Sequence, residues 1–142
     1  MQRTANAVWD GDLKTGAGAL TTGSKVLSKQ RYDFASRFED GTSTNPEELV
    51  AAAHAGCFAM AITAELGKAG ITPKRIATEA KLTLDRIDGK PTVTKVELSV
   101  VADVPGATRD QVQAIVDGAR AGCVISRLLN AEITLGSADI TV

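Results

Sequence analysis

Residues 45–64 read Asn45-Pro46-Glu47-Glu48 and then LVAAAHAGCFAMAITA, a helix start joined to an apolar run. Asn caps helices well because its side-chain oxygen accepts an orphan backbone N–H. Proline is preorganised at the first helical position, and a Glu at the third, Glu48, can complete a capping box with Asn45. The spacing predicts a helix from Pro46 to about Lys68, with Gly70 near its end and Pro73 beyond. Its interior is apolar almost all round, which implies burial on most sides. The run is too short and too interrupted to read as a membrane span. Its alanines and Gly56 let other backbones approach closely.

Outward from this helix the pattern changes to strands. Residues 3–9 and 17–22 are short and strand-like, separated by the turn-rich DGDLKTGAG, and a third short strand is expected near 30–38. On the other side, 75–87 and 92–102 alternate apolar and polar and are joined by Asp88-Gly89-Lys90-Pro91. They predict a long antiparallel hairpin with one face covered. Thr108 and Gln111 open a second helix as N-cap and third residue, and Gly122 closes it just before Cys123. A helical turn near 125–130 and a last strand over 131–141 complete the chain. The fold class expected is α+β, antiparallel strands with a long central helix, in one domain spanning 1–142.

The balance of the chain narrows its business. With 142 residues it can bury enough surface to fold without disulfides or a structural metal. Sixteen Lys and Arg against seventeen Asp and Glu leave a net charge of −1, which argues against a nucleic-acid face. One Trp, one Tyr and three Phe give little for base stacking. Hydrophobic residues make up 44% of the chain, the composition of a soluble globular protein. Two cysteines and one histidine fall short of a zinc site, so no metal is expected. The first residues, MQRTANAVWDGD, hold no apolar signal core, so a cytoplasmic location is expected. There a cysteine pair is more often catalytic or redox-sensing than a permanent staple.

Each candidate residue has an ordinary explanation when taken alone. Cys57 fits a small buried hydrophobe in the middle of an apolar helix, and His54 fits a satisfied core histidine. Glu48 fits a capping residue, and Arg37 fits a surface arginine whose stem lies along apolar surface. Cys123 follows a helix stop, where the start of a short helix would lower its pKa. The combination is more specific. The blocks Trp9-Asp-Gly-Asp12, Gly16-Ala-Gly18, Ser36-Arg37-Phe38, Thr44-Asn-Pro-Glu-Glu-Leu49, Ala53-His-Ala-Gly-Cys57 and Ala121-Gly-Cys123-Val-Ile-Ser126 together resemble the osmotically inducible protein C family of peroxidases. The resemblance runs from about residue 5 to 140.

It implies a cofactor-free, thiol-dependent peroxidase of oxidative and osmotic stress defence, working as an intertwined homodimer. Its partners would be a peroxide, preferably an organic hydroperoxide, and a thiol or dithiol reductant, with no nucleic acid and no membrane. The attacking cysteine maps to Cys57, the resolving cysteine to Cys123, and the arginine and glutamate to Arg37 and Glu48. Val124 stands where the family commonly has proline, which removes a preorganised helix start. The rival reading is a non-enzymatic redox sensor or small-ligand-binding dimer.

The chemistry explains these residue types. A thiolate attacks one peroxide oxygen and becomes a sulfenic acid, which a second thiol condenses to a disulfide. Cys57 lies far from its helix start, and burial raises a thiol pKa, so a permanent cation is needed. Arg37 supplies it, with Glu48 expected to hold the guanidinium. Phe38, Phe58 and Met60 are expected to line an apolar mouth. Glu48 and Cys57 are nine residues apart, so one unbroken helix sets them on opposite faces about 13 Å apart along the axis. This favours a C2 homodimer in which Glu48 serves the partner's thiol.

Overall fold

The computed structural model describes residues 1–142. It divides into two compact units, Met1–Leu49 and Val50–Val142.

The first unit is built on a three-stranded antiparallel sheet. Its strands are β1 (Ala5–Asp10), β2 (Ala17–Thr22) and β3 (Gln30–Tyr32), in that order across the sheet. Trp9 and Tyr32 both lie opposite Gly18, one from each side. Their rings meet at 5.4 Å between centroids, and a Cβ on Gly18 would fall 2.2 Å from the Tyr32 ring. The glycine therefore makes room for the aromatic pair that covers it. The β1–β2 connection is tied by Asp12, whose carboxylate accepts from the Lys14 and Thr15 amides at 2.9 and 3.0 Å and from the Thr15 hydroxyl. Gly11 turns there at φ +90°.

The third strand is shorter than expected. After Tyr32 the chain forms a five-residue helix, α1 (Phe34–Phe38), in place of a strand to residue 38. Asp33 is the reason. Its side chain accepts the Ser36 N–H at 2.9 Å, a cap that stabilises a helical turn over the partly alternating RYDFASRF pattern.

The second helix, α2 (Pro46–Lys68), has the expected bounds. Asn45 caps it, Oδ1 accepting from the Glu48 N–H at 2.8 Å. The Glu48 carboxylate does not close the box; it accepts from Thr44 Oγ1 at 2.9 Å. Twenty-three residues are long and apolar enough, by length and composition, to cross a membrane, so length does not exclude a span as the sequence pattern suggested. The core helix of a soluble protein meets the same measure.

The second unit holds a mixed three-stranded sheet. Strands β4 (Arg75–Ile87) and β5 (Lys90–Asp103) form the expected hairpin, turning at Asp88 and Gly89, both at positive φ. The last strand, β6 (Glu132–Thr141), lies parallel to β5, not antiparallel. Helices α3 (Arg109–Gly122) and α4 (Val124–Leu128) carry the chain back, which is what a parallel pairing requires. The Thr108–Gln111 capping box is formed in both directions. Along β5 the residues Val96, Leu98, Val100 and Ala102 are buried in strict alternation. The register shift after Leu98 leaves Gly136 as an extra residue in β6, so that Ile133, Leu135, Ala138 and Ile140 all reach the same core. Phe58, Ile62 and Leu66 of α2 and Val112, Val116 and Ala119 of α3 complete it. Within one chain α2 buries a single stripe, His54, Phe58, Ile62 and Leu66, and not most of its circumference.

Two glycines test this description. A Cβ on Gly16 would lie 2.4 Å from the carbonyl oxygens of both Asp10 and Asp12, whereas Gly67 has open space. Gly16→Ala is expected to lower stability by about 1–3 kcal/mol through overpacking. Gly67→Ala in the helix is expected to raise it by about 1 kcal/mol. Urea denaturation of the two variants measures both.

Candidate functional site

Two groups of chemistry-bearing residues are built, one in each unit. In the first, Arg37 lies in the last turn of helix α1, and a network of short polar side chains holds that helix against the loop that follows. Ser36 is the hub. Its hydroxyl accepts from the Ser43 N–H at 2.8 Å, and its carbonyl accepts from Asn45 Nδ2 at 2.7 Å. Asp33 takes the Ser43 hydroxyl at 3.0 Å and Arg31 Nε at 3.1 Å. Gly41 passes so close that a Cβ there would lie 2.3 Å from the Ser36 nitrogen. The backbone and side-chain hydrogen bonds from Ser36 hold the Asp33 carboxyl down at about 2, with Ser43 and Arg31 adding to them against the cost of burial.

The fork of Arg37 then meets Glu47. Nε donates to Oε1 and Oε2 at 3.0 and 3.1 Å, and Nη2 donates to Oε1 at 2.8 Å. Phe38 lies under the guanidinium, 4.9 Å from carbon to ring centre. This corrects the expected contact: the carboxylate that orients Arg37 is Glu47, because Thr44 engages Glu48. Helical N2 and N3 positions differ by about 100° in direction, so only one of two adjacent acids can face a given partner.

The second group joins α2 to the α3–α4 junction. Cys57 is half-buried and Cys123 is buried, and both are free thiols. Their sulfurs lie 2.7 Å apart in a hydrogen bond from Cys123 to Cys57. Cys123 serves as C-cap of α3 and N-cap of α4, its N–H bonded to the Ala119 carbonyl at 2.9 Å. The turn expected there forms with Val124 in place of proline. Burial pushes the Cys57 thiol up, and its bond with Cys123 pushes it further, against smaller help from the Ile125 and Val124 amides. Burial opposes ionisation of Cys123 too, but there the bond with Cys57 and the amides of Ser126 and Ile125 win, and its pKa is lowered. Once Cys123 ionises, the Cys57 thiol donates back to it.

A third contact was not read from the sequence as part of a site. His54 is fully buried, and its Nε2 lies 2.7 Å from Ser126 Oγ, one helical turn from each cysteine. The signal was present in the spacing: His54 precedes Cys57 by three, and Ser126 follows Cys123 by three. Of the residues expected at an apolar mouth, Phe38 and Met60 are exposed, but Phe58 is fully buried in the core and lines no surface. No group of three or more His, Cys, Asp or Glu is arranged to hold a metal ion.

A family model described as OsmC-like protein matches residues 39–137. The peroxiredoxin OsmC of Escherichia coli (strain K12) is 45% identical over 135 residues, covering 95% of this chain and 94% of that protein. The peroxiredoxin OsmC of Shigella flexneri matches equally well, at 45% identity over 135 residues. Among solved structures, an organic hydroperoxide resistance protein of Elizabethkingia anophelis superposes with a TM-score of 0.76 at 24% identity, covering 99% of both chains. An OsmC-like protein of unknown function from Vibrio cholerae gives 0.77 at 18% identity, again over 99% of both chains.

The low pKa of Asp33 sets an acid limit on the Arg37 loop. A carboxyl held at about 2 when folded, against about 4 when unfolded, contributes stability that is present above pH ~4 and lost as pH falls toward 2. Protection of the Ser36 amide, followed by hydrogen exchange, is expected to persist down to pH ~4 and to fall away below it. In Asp33→Ala the protection is expected to be weak throughout.

Proposed function

The chain belongs to the OsmC-like family, and from that premise we propose how its residues divide the work of a cysteine-based peroxidase. The observation that carries the reading is the pair of free thiols 2.7 Å apart in a chain 45% identical to a peroxiredoxin. Cys57 is the attacking thiol and Cys123 the resolving one. The Cys57 thiolate attacks one oxygen of the peroxide, the other oxygen leaves as alcohol or water, and Cys57 becomes a sulfenic acid. Cys123 then closes a disulfide, and a thiol or dithiol reductant reopens it. Organic hydroperoxides are the substrates favoured, since an alkyl tail gains about 0.8 kcal/mol for each CH₂ it buries. The cytoplasm, where such reductants keep thiols reduced, is the compartment this chemistry suits.

Burial works against ionisation of Cys57, so the thiol needs a cation. Arg37 is that cation in this reading. Its charge is permanent, and its planar fork is preset by the bidentate contact with Glu47. Glu48 supports the same loop through Thr44 and is assigned the lesser part.

The two units are read as parts of one 142-residue domain that works as a C2 homodimer. Two facts support this. Helix α2 is unbroken from Pro46 to Lys68, and ten residues of helix separate Glu47 from Cys57 by about 15 Å along its axis. Single-chain burial also leaves Ala52, Ala53, Gly56 and Met60 of α2 exposed, an apolar face that a second copy would cover. In the dimer, Arg37 and Glu47 of one chain serve Cys57 of the other.

Steady-state consumption of cumene hydroperoxide with a dithiol donor tests the assignment. Cys57→Ser is expected to abolish turnover. Arg37→Ala and Glu47→Gln are expected to lower kcat/KM by about tenfold or more, the equivalent of one unit or more in the thiol pKa, and Glu48→Gln by less. A single turnover per chain without continued consumption would establish a redox sensor instead. Sharing of sites is tested by refolding Cys57→Ser chains together with Arg37→Ala chains. Random pairing of shared sites is expected to restore about a quarter of normal activity. Sites contained in single chains would leave the mixture at the level of its parents.

A further inference from the structure

His54 and Ser126 are buried polar residues that the peroxide chemistry above does not use. They sit beside the thiol pair as a second rung between the same two elements. His54 and Cys57 lie one turn apart on α2, and Ser126 and Cys123 lie one turn apart on α4. His54 Nε2 to Ser126 Oγ is 2.7 Å, and Cys123 Sγ to Cys57 Sγ is 2.7 Å. His54 is 0% exposed and Ser126 8%. A polar pair placed this deep costs stability unless its hydrogen bonds are made.

The direction of the His54–Ser126 bond follows from the atom left over. His54 Nδ1 is buried and has no partner. If Nδ1 carried the proton, a buried N–H would be orphaned, which is rarer than a bare acceptor. The proton therefore sits on Nε2 and is donated to Ser126 Oγ. That fills one lone pair of the serine and leaves its own O–H free to donate elsewhere. Its neighbour one turn back is the Cys123 sulfur, and the Ser126 side chain is one of the groups that lower the Cys123 pKa. Burial lowers the imidazole pKa and so favours its neutral form. The other titratable groups facing this rung are Cys57 from α2 and Cys123 from the α3–α4 junction, while Arg127, next to Ser126, is exposed.

We propose that His54 and Ser126 are a positioning pair for the resolving step: His54 Nε2–H fixes the Ser126 hydroxyl, and that hydroxyl donates to the Cys123 sulfur while it closes the disulfide with oxidised Cys57. The proposal rests on the assignment of Cys57 and Cys123 to attack and resolution. In that step the Cys123 thiolate attacks the Cys57 sulfenic sulfur, the S–S bond forms, and the S–O bond breaks. Hydroxide leaves and takes up the proton that Cys123 gave up, so the products are disulfide and water. The Cys123 sulfur is oxidised and the Cys57 sulfur reduced by the same electron pair. The serine hydroxyl holds the nucleophile as an anion without being consumed. A neutral histidine donor is enough, so the pair needs no titration of its own.

Single-turnover oxidation with one equivalent of peroxide separates the two steps, with dimedone trapping to count sulfenic acid and intact mass to count disulfide. Ser126→Ala and His54→Leu are expected not to slow the loss of peroxide, and to slow disulfide closure about tenfold at neutral pH, with sulfenic acid accumulating. The pH midpoint of closure should move upward in both. His54→Gln carries an N–H donor at the position of Nε2 and is expected to restore the rate and the midpoint. Equal closure rates and midpoints in Ser126→Ala and the unmutated protein would overturn the proposal. A uniform slowing at every pH that His54→Gln does not rescue would also overturn it, since that is what loss of packing alone produces. Absence of any Cys57–Cys123 disulfide in the unmutated protein would overturn both this proposal and the roles it rests on.

Discussion

Two sulfur atoms 2.7 Å apart, one from the middle of α2 and one from the α3–α4 junction, set the demands that the second unit meets. A shared proton makes the first ionisation of the pair easier and the second harder, so the two thiols cannot be treated as independent groups. Burial raises the cost of any charge at Cys57. The amides of Ser126 and Ile125 reduce that cost at Cys123. The separation is about 0.7 Å longer than a disulfide bond.

The core beneath supplies the rigidity. Alternate residues of β5, the reset alternation of β6 at Gly136, and one stripe each of α2 and α3 close an apolar interior. The Thr78 hydroxyl donates to the Ala55 carbonyl at 2.8 Å and ties α2 to β4 just before the thiol. The His54–Ser126 contact pins the other side of the same turn. Side chains packed at crystal-like density do not drift, so sulfur positions set by helix ends are kept.

In the first unit the same principle works with polar groups in place of apolar ones. Asp33, Ser36, Ser43 and Asn45 close the loop from α1 to α2 through hydrogen bonds of 2.7 to 3.0 Å. Glycine at 41 permits the approach. The outcome is one bidentate ion pair, Arg37 to Glu47, whose fork geometry is preset by its surroundings. A loop built this way depends on carboxylate ionisation, which is why its acid limit lies well below neutral pH.

Local chemistry was enough for much of this. The Asn45-Pro46 start and Gly70 stop of α2, the hairpin at Asp88-Gly89, and the Thr108–Gln111 box depend on neighbours in sequence, so residue order alone determined them. The joint blocks around Cys57 and Cys123 likewise made the family legible. One local signal, the Asp33 cap on Ser36 that forms α1, was masked by the partial alternation around it. What depended on distant neighbours was decided only by the tertiary structure. The crossover through α3 and α4 made β6 parallel. Thr44 drew Glu48 away and left Glu47 to Arg37, a choice between adjacent acids that one residue of helical rotation decides and no motif encodes. Phe58 went to the core because it shares the stripe of Ile62 and Leu66, and His54 met Ser126 across 72 residues because the fold brings α4 back to α2. Spacing shows which residues share a face of a helix; which partner that face meets is set by packing, and packing is a property of the whole chain.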